Sequence, residues 1–167
     1  MYKGCRFYEG LVRVPLIFSW PGNFIQNSQN NALVEMLDLS ATLLNLASVD
    51  LPDYLQGVSL LPILSGQTKD GEHRDFVRSE YFDALDSHFT GGNGTYATMH
   101  RTRKHKLCVY HGKGVGELFD LDQDPWEHNN LWDSTAHADI KNQLLAESFD
   151  AHVLLTTDVG SKRIAPM

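Results

Sequence analysis

Cysteine is scarce in this sequence. Cys5 and Cys108 are the only two in 167 residues, and neither stands at the spacing of a zinc site or a redox pair. One pair at most excludes a disulfide-stapled scaffold, and two unpaired thiols are the expectation. Long apolar runs are missing too: none approaches the roughly 18 to 20 residues that a membrane-spanning helix needs. No basic leader with an apolar core and a small-residue cleavage site opens the chain, so neither a signal peptide nor a membrane span is expected in it. The compartment is left open by this. An excess of positive charge is also lacking, since 14 Lys and Arg stand against 21 Asp and Glu for a formal charge of −7. That balance argues against general binding to nucleic acid or to an anionic membrane. What remains is a globular composition, 42% hydrophobic, long enough for one sizeable core or two small ones.

The stretch from Lys3 to Pro21 is the richest in chemistry. Lys3, Arg6, Tyr8, Glu9 and Arg13 form a charged and aromatic loop that runs into an apolar run, Val14 to Trp20, broken only by Pro15 and Ser19. A run without alternation predicts a buried strand of a parallel sheet, with Pro15 at its start where a missing donor is tolerated. Residues 21–31 read as a loop. Leu33, Met36, Leu37, Leu43, Leu44, Leu46 and Ala47 include helical spacings and predict a core helix, with Asp38 or Ser40 as its N-cap. Residues 75–81 alternate like a strand. Gly91, Gly92 and Gly94 then mark a boundary, after which residues 96–101, 105–110 and 117–121 predict an antiparallel meander. The run 122–125, Asp-Gln-Asp-Pro, is a turn. Ile140, Leu144, Leu145, Phe149 and Val153 define one face of a closing helix, and residues 156–167 read as a loose tail.

Three of these stretches together carry a family resemblance. Lys3, Gly4, Tyr8, Glu9, Gly10, Arg13, Val14, Pro15, Trp20, Pro21 and Gly22 form the first. Asp38, Leu39, Thr42, Leu43, Leu44, Leu46 and Ala47, followed by Gly57, Ser59, Leu60, Leu61, Pro62 and Leu64, form the second. The third runs through Gly116, Glu117, Leu118, Phe119, Asp120, Leu121, Asp124, Pro125, Glu127, Asn130, Leu131 and Trp132. In this order they resemble the C-terminal part of the sulfatases, within the alkaline phosphatase superfamily. Leu11 stands where the family has a second glycine, and Phe119 where it commonly has tyrosine. The resemblance implies an α/β fold. Residues 1–86 would be the C-terminal end of a large, mostly parallel sheet domain, and residues 87–167 a small antiparallel subdomain with a closing helix and tail.

By the same resemblance Lys3 is the lysine that contacts the sulfate group under hydrolysis, while Glu9 and Arg13 fix its loop. An exposed lysine near a terminus without a function is the competing reading of Lys3. The family's nucleophile, a formylglycine made from a Cys/Ser-x-Pro-x-Arg motif, has no counterpart here, nor has its calcium-binding Asp-Asp or Ser-Asp-Asn-Gly motif. No cofactor is therefore expected in this chain, whereas calcium and formylglycine are implied for a full-length member. No residue is assigned to a metal, because Asp120, Asp122, Asp124 and Glu127 lack calcium-loop spacing and suit a carboxylate-capped turn. A second cluster, His100, Arg101, Arg103, Lys104, His105, Lys106 and His111, concentrates positive charge. It is either a rim that recognises an anionic substrate through His100, Arg101, Arg103 and His105, or a solvated turn. His73, His88, His128, His137 and His152 read as surface residues.

The function these readings imply is sulfate ester hydrolysis by a completed enzyme, with this portion inactive alone. Its partners would be a sulfated small molecule or carbohydrate and the N-terminal part of the catalytic domain, with self-association of the isolated chain. Two alternatives stand beside it: a noncatalytic structural or binding module that kept the fold, and a phosphoesterase or phosphonate hydrolase of the same superfamily.

Overall fold

The computed structural model describes residues 5–84 and 94–156, so Lys3 and the tail beyond residue 156 lie outside the described residues. The second half forms, among the described residues, the strands β1 (Phe76–Ala84), β2 (Thr95–Thr102), β3 (His105–Tyr110) and β4 (Val115–Asp120). They form an antiparallel sheet in the order β1-β2-β3-β4. Register places Met99 opposite Cys108, Arg101 opposite Lys106, and Leu107 opposite Leu118. The β3–β4 connection turns through Gly112 and Gly114 at φ 73° and 68°, which side chains with a Cβ rarely adopt.

The α-helices among the described residues are α1 (Glu9–Val12), α2 (Leu37–Leu46), α3 (Leu61–Leu64) and α4 (Ala138–Thr156). By packing, the chain divides into two compact units, Met1–Leu16 with Asp75–Ala146, and Ile17–Arg74 with Glu147–Met167. In the first, Leu107, Leu118 and Leu144 form a buried cluster against which Val109, Leu131, Trp132, Ile140 and Leu145 pack. Each such side chain, once buried, stabilises by about 1.5–3 kcal/mol. Farther along α4 the expected stripe fails, for Phe149 and Val153 are exposed and Ala151 is buried instead.

The second unit is built on α2. Thr42 Oγ1 donates to the Asp38 carbonyl at 2.6 Å and accepts from the Leu60 amide at 2.9 Å, tying the approach to α3 onto the helix. Gly57 is required beside it, because a Cβ there would run into the Leu37 carbonyl. Asp38 is not the N-cap. Met36 occupies that position without a side-chain bond, and Asp38 is fully buried in the first turn. Its carboxylate accepts from the amides of Glu35 at 3.0 Å and Val58 at 2.8 Å, from Arg74 Nε at 3.0 Å and from His73 Nε2 at 3.1 Å. His73, expected on the surface, has a side chain only 5% exposed. Burial pushes the Asp38 carboxyl up, but the hydrogen bonds from Arg74, Glu35 and Val58 outweigh it and hold the group below its ordinary range.

The apolar run Val14–Trp20 is not a buried strand. None of its residues pairs in a sheet, and Val14, Leu16, Ile17 and Trp20 are exposed. A strand needs hydrogen-bonding neighbours and a covered face, and the sheet among the described residues is the antiparallel meander. The large parallel sheet does not occur among the described residues.

Candidate functional site

Residues 5–12 follow directly on Lys3 and Gly4 in the sequence, and the first unit holds them by every kind of contact its sheet can offer. Phe7 is buried with its ring centroid 4.9 Å from that of Tyr81, and Tyr8 lies 6.2 Å from Phe119. Arg6 stacks over the Tyr110 ring at 5.0 Å and donates to Glu117 Oε1 at 3.0 Å. The Tyr110 hydroxyl donates to the other oxygen of Glu117 at 3.1 Å. Burial pushes the Tyr110 hydroxyl up, so it stays protonated as a donor.

The strongest restraint is ionic. Arg101 on β2 and Lys106 on β3 are direct cross-strand partners, a like-charge pair that destabilises a sheet unless an anion lies between. Glu9 supplies it. Its carboxylate accepts from Arg101 Nε at 3.0 Å and Nη2 at 3.3 Å, and lies 2.6 Å from Lys106 Nζ. The Lys106 ammonium, fully buried, also donates to Glu127 Oε1 and to the Phe7 carbonyl, each at 2.8 Å. Glu127 Oε2 accepts from the Glu9 amide at 2.6 Å. Two cations and two carboxylates thus close a neutral cluster in which all three protons of Lys106 are used. Burial pushes the Glu9 carboxyl up, and the hydrogen bonds of Lys106 and Arg101 more than offset it, leaving the group below the usual carboxylate range.

The hairpin residues named as candidate substrate contacts are placed as follows. His100 is buried, with its ring 4.7 Å from Phe76. Arg101 is committed to Glu9. Arg103 and Lys104 are exposed at the β2–β3 turn, and His105 is half-buried, its Nε2 4.0 Å from Asp120. Burial lowers the pKa of His105, Asp120 opposes this and Lys104 adds to it, so the ring favours its neutral form. Cys5 and Cys108 are buried free thiols, and burial pushes Cys108 up.

No group of three or more His, Cys, Asp or Glu side chains that could hold a metal occurs among the described residues. Carboxylates at the end of β4 and beyond it bond to the backbone: Asp120 accepts from the amides of Asp122 and Gln123, and Asp124 from that of Asn129. Among the described residues these carboxylates do not fit a calcium ion. Two features escaped the sequence reading. Lys106 was counted as one cation of a surface cluster, but β3 is buried on both faces, Lys106 as fully as its neighbour Leu107, and alternation along the strand would not have revealed this. Arg74 and His73 as partners of Asp38 left no local signal.

A loop docked by a buried ion cluster onto a small antiparallel sheet, with a helix packed against that sheet, has the character of a scaffold subdomain. The chain belongs to the sulfatase family: the family described as N-sulphoglucosamine sulphohydrolase, C-terminal, matches residues 2–152. Arylsulfatase A of Bos taurus is 36% identical over 145 residues, covering 79% of this chain and 28% of that protein. A solved 2-O GAG sulfatase superposes with a TM-score of 0.61 at 28% identity, over 72% of this chain and 25% of that one. Phosphonate monoester hydrolase from Silicibacter pomeroyi shares the fold, with a TM-score of 0.63 at 24% identity over 74% of this chain and 26% of that one. The chain spans about a quarter of the length of the relatives it matches.

Proposed function

We propose that this chain is the C-terminal portion of a sulfatase, that Lys3 contacts the sulfate group being hydrolysed, and that the chain is inactive by itself. The observation that carries this reading is the match over residues 2–152, which includes the Lys-Gly and Tyr-Glu-Gly segment as well as the scaffold motifs. Sulfate ester cleavage builds negative charge on the nonbridging and leaving oxygens, and a fixed cation aimed at them stabilises the transition state. An ammonium is a compact point charge suited to that task. Calcium and formylglycine supply the polarisation and the nucleophile in the family, and both would be held by residues outside this chain.

The substrate class we propose is a sulfated sugar or a small sulfate ester, in keeping with the sulfated amino sugar in the family's description and with the name of the GAG sulfatase. An anion meeting the basic hairpin encounters Arg103 and Lys104 first, since His100 is buried and Arg101 is shared with Glu9. Incubating the 167-residue chain with an aryl sulfate and calcium tests its inactivity. Turnover no higher than that of Lys3→Ala is expected, and clear turnover above that control would refute it. Running a phosphonate monoester in parallel with the full-length protein separates the two superfamily chemistries, with the sulfate ester expected to be the faster substrate.

A further inference from the structure

The ion cluster does more than fill the space between β2 and β3. Lys106 and Glu127 reach three successive points of the segment that follows Lys3: the Phe7 carbonyl, the Glu9 amide and the Glu9 carboxylate. Bonds to both backbone and side chain fix the path of the segment as well as its proximity. Glu127 itself is held at φ 58°, a left-handed conformation that costs a residue with a Cβ about 1 kcal/mol or more and persists only where the surroundings impose it. The same Glu127 follows the 122–125 turn, which is pinned by Asp120 accepting from the Asp122 amide and Asp124 accepting from the Asn129 amide. The clamp is therefore rigid on the sheet side.

We infer that Lys106 and Glu127 are positioning residues for the reaction, which set the placement of the Lys3 segment and through it turnover. This rests on the proposed role of Lys3. The cluster is neutral and closed, so neither residue offers a free charge to a substrate. Their effect passes through the segment they hold. Loss of the clamp lowers kcat by about a hundredfold, the scale that follows a misplacement of about 1 Å, with little change in KM. Lys106→Arg keeps charge and donors and restores a large share of it.

Two measurements test this. In the 167-residue chain, hydrogen exchange at the amides of residues 7–12 is compared between wild type, Lys106→Met and Glu127→Gln. Exchange at the Glu9 amide rises about tenfold or more in both variants, and unchanged exchange in a folded variant overturns the clamp. In the full-length protein, kcat with an aryl sulfate is measured for Lys3→Ala, Lys106→Met and the double variant, beside melting temperature. Because Lys106 acts through Lys3, its replacement costs little once Lys3 is gone. Additive losses overturn the inference and leave the role of Lys3 intact, whereas wild-type turnover in Lys3→Ala refutes the proposed function itself. Should Lys106→Met fail to fold, Glu127→Gln, which keeps the shape and removes only the charge, reads the same cycle.

Discussion

At the scale of single residues, the ion clusters around Lys106 and Asp38 decide how the fold responds to substitution and to acid. Removing one member of a buried pair leaves its partners charged and unpaired, which costs about 3–5 kcal/mol. Lys106→Met is accordingly expected to lower unfolding stability by that amount in denaturant titration, far more than loss of the exposed Lys104. Glu9 and Asp38 both have carboxyl pKa values held below the ordinary range. The stability they contribute is fully present above the unfolded value of about 4. It is lost as pH falls through their lower folded values. Glu9→Gln and Asp38→Asn should therefore be less stable than wild type at neutral pH and show a flatter acid limb, and the difference between variant and wild type should shrink toward low pH. These clusters were barely legible in the sequence, because Glu9 and Arg101, or Asp38 and Arg74, are joined only by the fold. Glu9 as a loop-fixing residue was the exception, and it came from the family resemblance.

At the scale of elements, β2, β3 and β4 were legible to within a few residues, since short runs separated by turn-sized connections mark hairpin-linked strands regardless of what lies far away. The motif after β4 shows its purpose only in three dimensions. Asn130 Oδ1 accepts from the amides of Leu118 and Trp132, its Nδ2 donates to the Gly116 carbonyl, and the Leu131 amide donates to the Leu118 carbonyl. These bonds pair the outer edge of β4, which would otherwise stay open. Gly116 is needed because a Cβ there would overlap the Trp132 indole. Gly116→Ala should cost about 1–3 kcal/mol by overpacking, and Asn130→Ala about 1–3 kcal/mol by unsatisfied amides. Thermal melts followed by Trp fluorescence check both. The run Val14–Trp20 has the composition of a buried strand, yet among the described residues it pairs with no strand and stays largely exposed, as expected of such a strand without its neighbours.

At the scale of the whole molecule, residues 6–9 are held by side chains of the sheet and of Glu127, and no group of side chains that could hold a metal occurs among the described residues. The exposed Val14, Leu16, Ile17 and Trp20 leave apolar surface that promotes association of the isolated chain. Size-exclusion chromatography with light scattering at micromolar concentration is expected to show species larger than a monomer, and a clean monomer would assign these 167 residues to a self-sufficient module. The central claim is that this scaffold serves one cation at the sulfate. It is tested most directly by kcat for an aryl sulfate in the full-length protein carrying Lys3→Ala, with melting temperature measured beside it. The account predicts a fall in kcat of about a hundredfold or more, the scale seen when one transition-state contact is removed, at an unchanged melting temperature; turnover equal to wild type would contradict it.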